Sequence, residues 1–339
     1  MKSHLELIST VGMSREDWLA YRQTGLGGSD VGAVLGLDDY KSSLELYHQK
    51  IGLVPLRDLP NVPKFMGLQL EDLIFKLWGY WEGTQASVIE NEARKRVVGR
   101  CRRVRAYVRN PRYPWLFISL DRLIQKRGGR GEGNLEGKTI SRAEANKWEG
   151  GVPPAQIAQV NAQMLVPELE YTELAQLQDG RWFDVLPLEP SPDLQAAIAD
   201  RTHDFWQKVL AGRKLVNRRY EYERRYDQRG VDGCQAEIDQ LAPEPDGTLA
   251  YAAYLTERYK QGQERGALLG TPELLEDALR HLSLKRQVKT IEEEVRLCES
   301  RLKAYMGTVQ CVDFGQNGKV YWNETSDGKR IFTNRVKSN

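Results

Sequence analysis

Cysteine is scarce in this chain. Its four cysteines, Cys101, Cys234, Cys298 and Cys311, lie far apart among 339 residues and form no C-x-x-C pair, which argues against a zinc or iron–sulfur centre. Long apolar runs are missing as well. No stretch is long enough to span a bilayer, and the first residues lack the pattern of a secretory leader. No membrane association is therefore expected, and a reducing cytoplasm is the expected location. An excess of one charge is also absent: 49 Lys and Arg against 47 Asp and Glu leave a formal net charge of +2. For a nucleic-acid partner, the distribution of charge then matters more than its sum. The rest of the composition is that of an ordinary globular protein. At 339 residues the chain can hold one large domain, or one domain with an appendage.

The most informative segment spans residues 115–140, WLFISLDRLIQKRGGRGEGNLEGKTI. The apolar, β-favouring residues 116–124 predict a strand with Asp121 near its end. Gly128, Gly129, Gly131 and Gly133 then predict a hairpin loop, and residues 135–140 the return strand. Alternation along that strand puts Glu136 and Lys138 on one face and Leu135 and Gly137 on the other. With Asp121 turned to the same side, two carboxylates and an ammonium converge. Mg²⁺ is commonly held by one or two carboxylates together with a substrate phosphate. The ion activates water and polarises the phosphate, while Lys138 can orient the attacking water or offset charge on the phosphorane. An acid-x-lysine triplet also arises by chance in solvated hairpins, so this reading needs support from elsewhere in the chain.

Residues 22–30 read RQTGLGGSD. Gly25, Gly27 and Gly28 lead into an apolar helical stretch from Val31, with Ser29 or Asp30 as its cap. Such a loop attracts anions, and Arg22 adds a bidentate phosphate contact; the alternative is a tight turn with an ordinary cap. Residues 66–82 predict an amphipathic helix whose apolar stripe is Leu70, Leu73, Ile74, Leu77 and Trp81. Glu71 lies beside that stripe, placed to reach a metal or simply favoured near a helix start. Pro153 and Pro154 suit another helix start, after which Gln156, Gln159 and Gln163 share one face. That face could hydrogen-bond a water or a DNA backbone, or be plain surface. Arginines cluster over residues 94–112, where Arg102, Arg103 and Arg105 either line a DNA channel or protect a sheet edge.

Towards the C-terminus, residues 213–230 read as a charged connecting helix carrying Tyr220, Tyr222 and Tyr226. Leu284, Val288, Ile291, Val295, Cys298, Leu302 and Tyr305 recur as a heptad seam. Helices over 251–260 and 274–282 are expected to pack with it as a hairpin. Short strands are expected over 311–314, 319–323 and 330–333. The expected division is a nuclease domain over 1–215, a charged connector over 216–248, and a helical hairpin or coiled coil with a small β-element over 249–339.

Taken together, RQTGLGGSD with the following YKSSLELYHQKIG, Gly67-x-x-x-Glu71, Ser119-Leu-Asp121, Glu136-Gly-Lys138, and Trp148 followed by AQVNAQM resemble the YqaJ-like viral recombinase family. That family includes lambda exonuclease and belongs to the PD-(D/E)xK nuclease superfamily. The order and gaps agree over residues 14–210. The resemblance implies an α+β (α/β) fold: a restriction-endonuclease-like core with a central mixed β-sheet flanked by helices, here extended by the helical C-terminal unit. It implies Mg²⁺, with Mn²⁺ as a substitute, held by Asp121 and Glu136 with Glu71 as a further acid. Lys138 would serve the attacking water, steadied by Gln159, and Arg22, Ser29 and Ser119 would hold a terminal 5′-phosphate. The implied reaction is processive 5′→3′ hydrolysis of one strand of duplex DNA ends, leaving a 3′ overhang. A single-strand annealing protein as partner, a ring trimer, and a phage or prophage origin in a bacterial host are implied as well. Two departures stand out. Leu120 replaces the superfamily's proline, and Pro153-Pro154-Ala155 replaces aromatic residues, which leaves Gln159 and Gln156 as alternatives. A restriction-like endonuclease and a catalytically silent DNA-end-binding protein are the other readings of the same core.

Overall fold

The computed structural model describes residues 2–56, 61–125, 131–260, 267–324 and 328–336. The chain divides into two compact units, Met1–Gly262 and Gln263–Asn339. In chain order the first unit contains β1 (Glu6–Ser9), α1 (Arg15–Arg22), β2 (Leu26–Gly27), α2 (Val31–Val34), α3 (Ser43–Ile51), α4 (Val62–Trp78), α5 (Gln85–Ala93), β3 (Cys101–Arg103), β4 (Ala106–Arg109), β5 (Leu116–Ser119), β6 (Arg122–Gln125), β7 (Glu132–Ile140), α6 (Pro154–Leu165), β8 (Tyr171–Gln178), β9 (Trp182–Leu188), α7 (Pro192–Arg224), α8 (Gln228–Leu241) and α9 (Leu249–Arg258). Local chemistry explains most helix starts. Ser14, Ser42, Asn61, Thr84, Ser191 and Thr248 each accept a backbone N–H of the first turn they precede, satisfying donors that have no intrahelical partner. Pro154 opens α6, where its missing N–H costs nothing.

Two mixed sheets carry the unit, a four-stranded one in the order β1-β4-β5-β2 and a five-stranded one in the order β3-β6-β7-β8-β9. The single strand expected over 116–124 is in fact two. The chain breaks at Leu120 and Asp121, so β5 joins the first sheet and β6 the second. Asp121 therefore sits where the sheets diverge. β6 and β7 pair antiparallel as expected; the hairpin-loop expectation at Gly128 and Gly129 falls outside the described residues. β7 and β8 run parallel, with α6 as the crossover between them. Side-chain alternation divides the faces of β7. Leu135 joins Ile74, Phe75, Trp78 and Tyr171 in a core beneath α4. On the other side Ala158 and Ala162 of α6 pack with Ile118, Leu120, Val209 and Ile238.

The expected domain boundary near residue 215 falls inside α7, which runs unbroken from Pro192 to Arg224. Leu215, Val216, Cys234 and Ile238 are buried, so α8 folds back on α7 and completes the core instead of serving as a connector. Most charges of 214–229 are exposed, whereas Arg213 turns inward, donating to the Lys50 carbonyl at 2.8 Å and lying over the Trp206 ring; the spacing of Cys234, Ile238 and Leu241 marks the inner face of α8. α9 belongs to this unit too: Ala250 and Tyr251 are buried, and Tyr254 Oη lies 2.8 Å from His48 Nδ1.

The second unit holds α10 (Pro272–Met306) and an antiparallel sheet of β10 (Cys311–Asp313), β11 (Gly318–Glu324) and β12 (Arg330–Val336). These strands fall where the sequence predicts them. The expected helical hairpin does not form: residues 274–282 and the heptad seam lie on one continuous helix, and 251–260 belong to the first unit. The Arg330 guanidinium stacks 3.7 Å from the Trp322 ring centroid and donates to the Gly307 and Val309 carbonyls, fixing the sheet to the end of α10. Among the described residues no helix is long and apolar enough to cross a membrane.

Candidate active site

The break between β5 and β6 turns Asp121 towards β7, where its Oδ2 accepts the Gly137 N–H at 3.1 Å. The middle residue of the Glu136-Gly-Lys138 triplet thus anchors the acid of the preceding segment through its backbone. Arg22, Ser29, Ser119, Asp121, Glu136 and Gln159 line one cavity of about 210 Å³. Six of the eight side chains singled out in the sequence are therefore brought together, and Lys138 adjoins them through Glu136.

Glu136 is 3% exposed, and a buried carboxylate needs partners. Its Oε1 accepts from Gln159 Nε2 at 2.8 Å and lies 3.0 Å from Lys138 Nζ. Its Oε2 accepts from Gln163 Nε2 at 2.8 Å. Lys138 Nζ also lies 3.4 Å from Gln159 Oε1. Of the two glutamines left open by the sequence, Gln159 is the one at the acids. Gln163 was missed as a site residue. Its spacing of four from Gln159 was the available signal, because i and i+4 share a helix face. The Asn134 Nδ2 donates to Gln163 Oε1 at 3.1 Å, which leaves the amide nitrogen facing Glu136.

Burial pushes the half-buried Asp121 carboxyl well above the usual carboxylate range, and Glu136 and then Glu71 push it further, against the Gly137 N–H and Lys138. Crowded carboxylates with too little positive charge around them fit a hard divalent cation, which needs only one or two such ligands beside phosphate and water. The expected trio of Asp121, Glu136 and Glu71 does not close into one cluster. Among the described residues no three His, Cys, Asp or Glu side chains form a metal-holding group. Glu71 is near enough to act on Asp121, but its Oε1 accepts from Arg122 at 3.0 Å, on the α4 side of the sheet.

The Gly-rich loop also differs from expectation. Gly28–Asp30 forms a single 3-10 turn, and α2 behind it has only four residues. Asp30 makes no side-chain cap. It is 1% exposed, and its Oδ2 accepts the Gly27 N–H at 3.0 Å, so part of the expected anion cradle is filled from within. Oδ1 lies 3.0 Å from Arg22 and 3.2 Å from Lys41, and Oδ2 lies 3.2 Å from Lys50. Burial alone would raise the Asp30 carboxyl, but Lys41, Lys50 and Arg22 with the Gly27 N–H outweigh it and hold it well below the usual range. Burial pushes the Lys50 ammonium down to about 8 against the pull of Asp30. Three cations around one carboxylate leave a positive wall where Arg22 and Ser29 meet the cavity. A larger cavity of about 660 Å³ continues from it, sharing Arg22, Ser29 and Asp121 and adding Tyr40, Lys41 and Lys64.

The basic segment splits in use. β3 is the edge of the five-stranded sheet, and Arg103 pairs in register with Arg122, next to Asp121. Arg102 and Arg103 are exposed, Arg102 lying 3.4 Å from Glu132. Arg109 is structural: it donates to Tyr21 Oη, the Pro114 carbonyl and Thr24 Oγ1, each at 2.6 Å.

Residues 17–173 match the YqaJ-like viral recombinase domain. The uncharacterized protein YqaJ of Bacillus subtilis (strain 168) is 27% identical over 328 residues, which cover 96% of this chain and 86% of that protein. Among solved structures, an alkaline exonuclease (LHK-Exo) from Laribacter hongkongensis aligns with a TM-score of 0.47 at 17% identity, over 61% of this chain and 98% of that one. A phage-related exonuclease from Haemophilus somnus 129PT aligns with a TM-score of 0.36 at 10% identity, over 55% and 95% of the two chains.

Proposed function

We propose that this chain, whose residues 17–173 match the YqaJ-like viral recombinase domain, is a divalent-metal-dependent nuclease that degrades linear duplex DNA from the 5′ end and leaves a 3′ overhang. One observation carries this reading: Asp121 and the Glu136–Gln159 pair share a single cavity with Arg22, Ser29 and Ser119. Asp121 and Glu136 would hold Mg²⁺, or Mn²⁺ in its place, which supplies Lewis acidity towards the phosphate and activates the nucleophile. Glu136 cannot swing away, since Gln159 and Gln163 hold both of its oxygens. Lys138, 3.0 Å from Glu136, orients the attacking water and offsets charge developing on the phosphorane. Gln159 ties Glu136 to Lys138, so the acid and the base-side cation keep a fixed spacing. Across the cavity Arg22 donates to the terminal 5′-phosphate, and Ser29 and Ser119 offer hydroxyls to it.

The 3′ overhang is the substrate of a single-strand annealing protein, which is the partner this reading assigns. A closed ring of copies is the assembly that would keep the enzyme on its duplex. The test uses three substrates, each with Mg²⁺ and with chelator: linear duplex bearing a 5′-phosphate, linear duplex without it, and closed circular plasmid. Mg²⁺-dependent digestion confined to the 5′-phosphorylated linear duplex is the expected result. Cutting of the circle would establish an endonuclease instead, and no cleavage of any substrate would leave only DNA-end binding.

A further inference from the structure

Arg122 opens β6 immediately after Asp121, yet its side chain is 8% exposed and points to the opposite face of the sheet, towards α4. There its fork is fully engaged. One terminal nitrogen donates to Glu71 Oε1 at 3.0 Å and to the Asp121 backbone carbonyl at 2.8 Å. The other donates to Asp72 Oδ1 at 2.7 Å. The guanidinium also lies over the Phe75 ring, 4.3 Å from its centroid. Glu71, Asp72 and Phe75 occupy adjacent turns of α4, so one side chain grips the helix at three points and the Asp121 backbone at a fourth. Phe75 in turn rests on Gly137, where a Cβ would meet the ring at 3.1 Å. Gly137, Phe75 and Arg122 thus form a stack linking the Glu136-Gly-Lys138 strand to the segment that bears Asp121.

Of the two acids held, Asp72 has a side chain 81% exposed, whereas that of Glu71 is 22% exposed. Glu71 also shares one nitrogen of the Arg122 fork with the Asp121 carbonyl, at 3.0 and 2.8 Å. Asp72 is therefore an outer brace, and Glu71 is the carboxylate whose position matters to the site. We propose that Arg122 is a positioning residue for the metal site: it fixes the Glu71 carboxylate and the Asp121 backbone relative to one another and thereby sets the affinity of the Asp121–Glu136 pair for a divalent cation. This rests on the metal-dependent reading of the cavity. A lysine cannot replace the clamp, because an ammonium lacks the rigid planar fork that reaches several acceptors at once and stacks on a ring.

The test is calorimetric titration of Mn²⁺ into the DNA-free full chain, with circular dichroism to verify folding. Arg122→Met should weaken Mn²⁺ binding by about 10-fold or more, the usual scale for groups that orient metal ligands. Arg122→Lys, which keeps the charge, should fold and show a smaller but measurable loss. If Arg122 acts through Glu71, the losses in Glu71→Gln and Arg122→Lys should not add in the double variant. Wild-type Mn²⁺ affinity in either folded Arg122 variant, or fully additive losses, would overturn the inference. Asp121→Asn separates the two levels of the argument. If it leaves Mn²⁺ binding intact, the reading of the cavity itself fails, whereas loss in Asp121→Asn with none in the Arg122 variants sinks the clamp alone.

Discussion

Lys138 lies 3.0 Å from the Glu136 carboxylate and 3.4 Å from the Gln159 amide oxygen, and in the proposed reaction its charge serves the substrate phosphate. Lys138→Ala should lower the cleavage rate by a factor of about 10²–10³, the cost typical of losing one group that stabilises transition-state charge. Duplex binding, measured by fluorescence anisotropy, should change little; full activity in this variant would show that the chemistry lies elsewhere. Asp121 makes a prediction about stability. Its carboxyl is raised in the fold by burial, then by Glu136 and Glu71, so its favourable contribution exists below the unfolded value of about 3.9 and is lost as pH rises through the higher folded value. Without metal, Asp121→Asn should therefore melt above the wild type at pH 8, by a few degrees for a gain of about 1 kcal/mol. The difference should shrink towards pH 4. Calorimetry in chelator checks this, and a lower melting temperature for the variant at pH 8 would contradict it.

At the scale of elements, two helices owe their position to the absence of a side chain. Phe75 brings α4 against β7 at Gly137, and Gly212 brings α7 against α3. A Cβ at 212 would stand 2.6 Å from Tyr47 Oη and 2.8 Å from an Ile51 methyl, and both neighbours are buried. Gly212→Ala should cost about 1–3 kcal/mol, as overpacked cores do, even though alanine is the better helix former. Urea denaturation measures the loss; an unchanged midpoint would mean that α7 and α3 separate more readily than their packing suggests. α10 illustrates the opposite case. Leu284, Val288, Ile291 and Val295 are each about half exposed, so the heptad spacing shapes an apolar seam that no described residue of its own unit covers.

For the whole molecule, the core of the first unit is closed by helices that follow the family-matched segment. Ile238 is fully buried and Cys234 and Val216 nearly so, and α9 packs on α3, where Tyr254 meets His48. A chain ending at residue 262 should melt cooperatively and retain the metal-dependent cleavage proposed for the full chain. A chain ending at residue 215 removes α8 and leaves a face of α7 bare, with Leu215 and Val209 exposed. Burying a side chain of that size contributes about 1.5–3 kcal/mol each, so the shorter chain should not fold cooperatively. Circular dichroism melts of the two truncations decide the matter, and a stable 1–215 fragment would show that α8 is dispensable.

Local rules were enough for much of this molecule. Pro153 and Pro154 marked where α6 begins, apolar periodicity over 66–82 found most of α4 though not its start at Val62, and alternation placed Glu136 and Lys138 on one face of β7. The turn-bounded strands of the second unit were legible for the same reason, since pairing between neighbours in sequence needs only local spacing. Asp121, Glu136 and Lys138 were recognisable as a set because their residue types match one chemistry, whereas Gln159 came only from the family resemblance, with Gln156 as its alternative. What neighbours in sequence could not reveal was set by contacts between distant segments. Asp30 looked like a helix cap until Lys41 and Lys50 arrived around it, and nothing near Arg122 in the sequence announced its contacts with Glu71 and Asp72 of α4. The charged stretch at 213–230 looked like a linker because its charges are local, while the burial of Ile238 depends on α7 lying beneath α8. Residue chemistry thus decided which groups this protein could use, and tertiary packing decided which of them face the cavity, because burial and ion pairing depend on what the fold brings alongside.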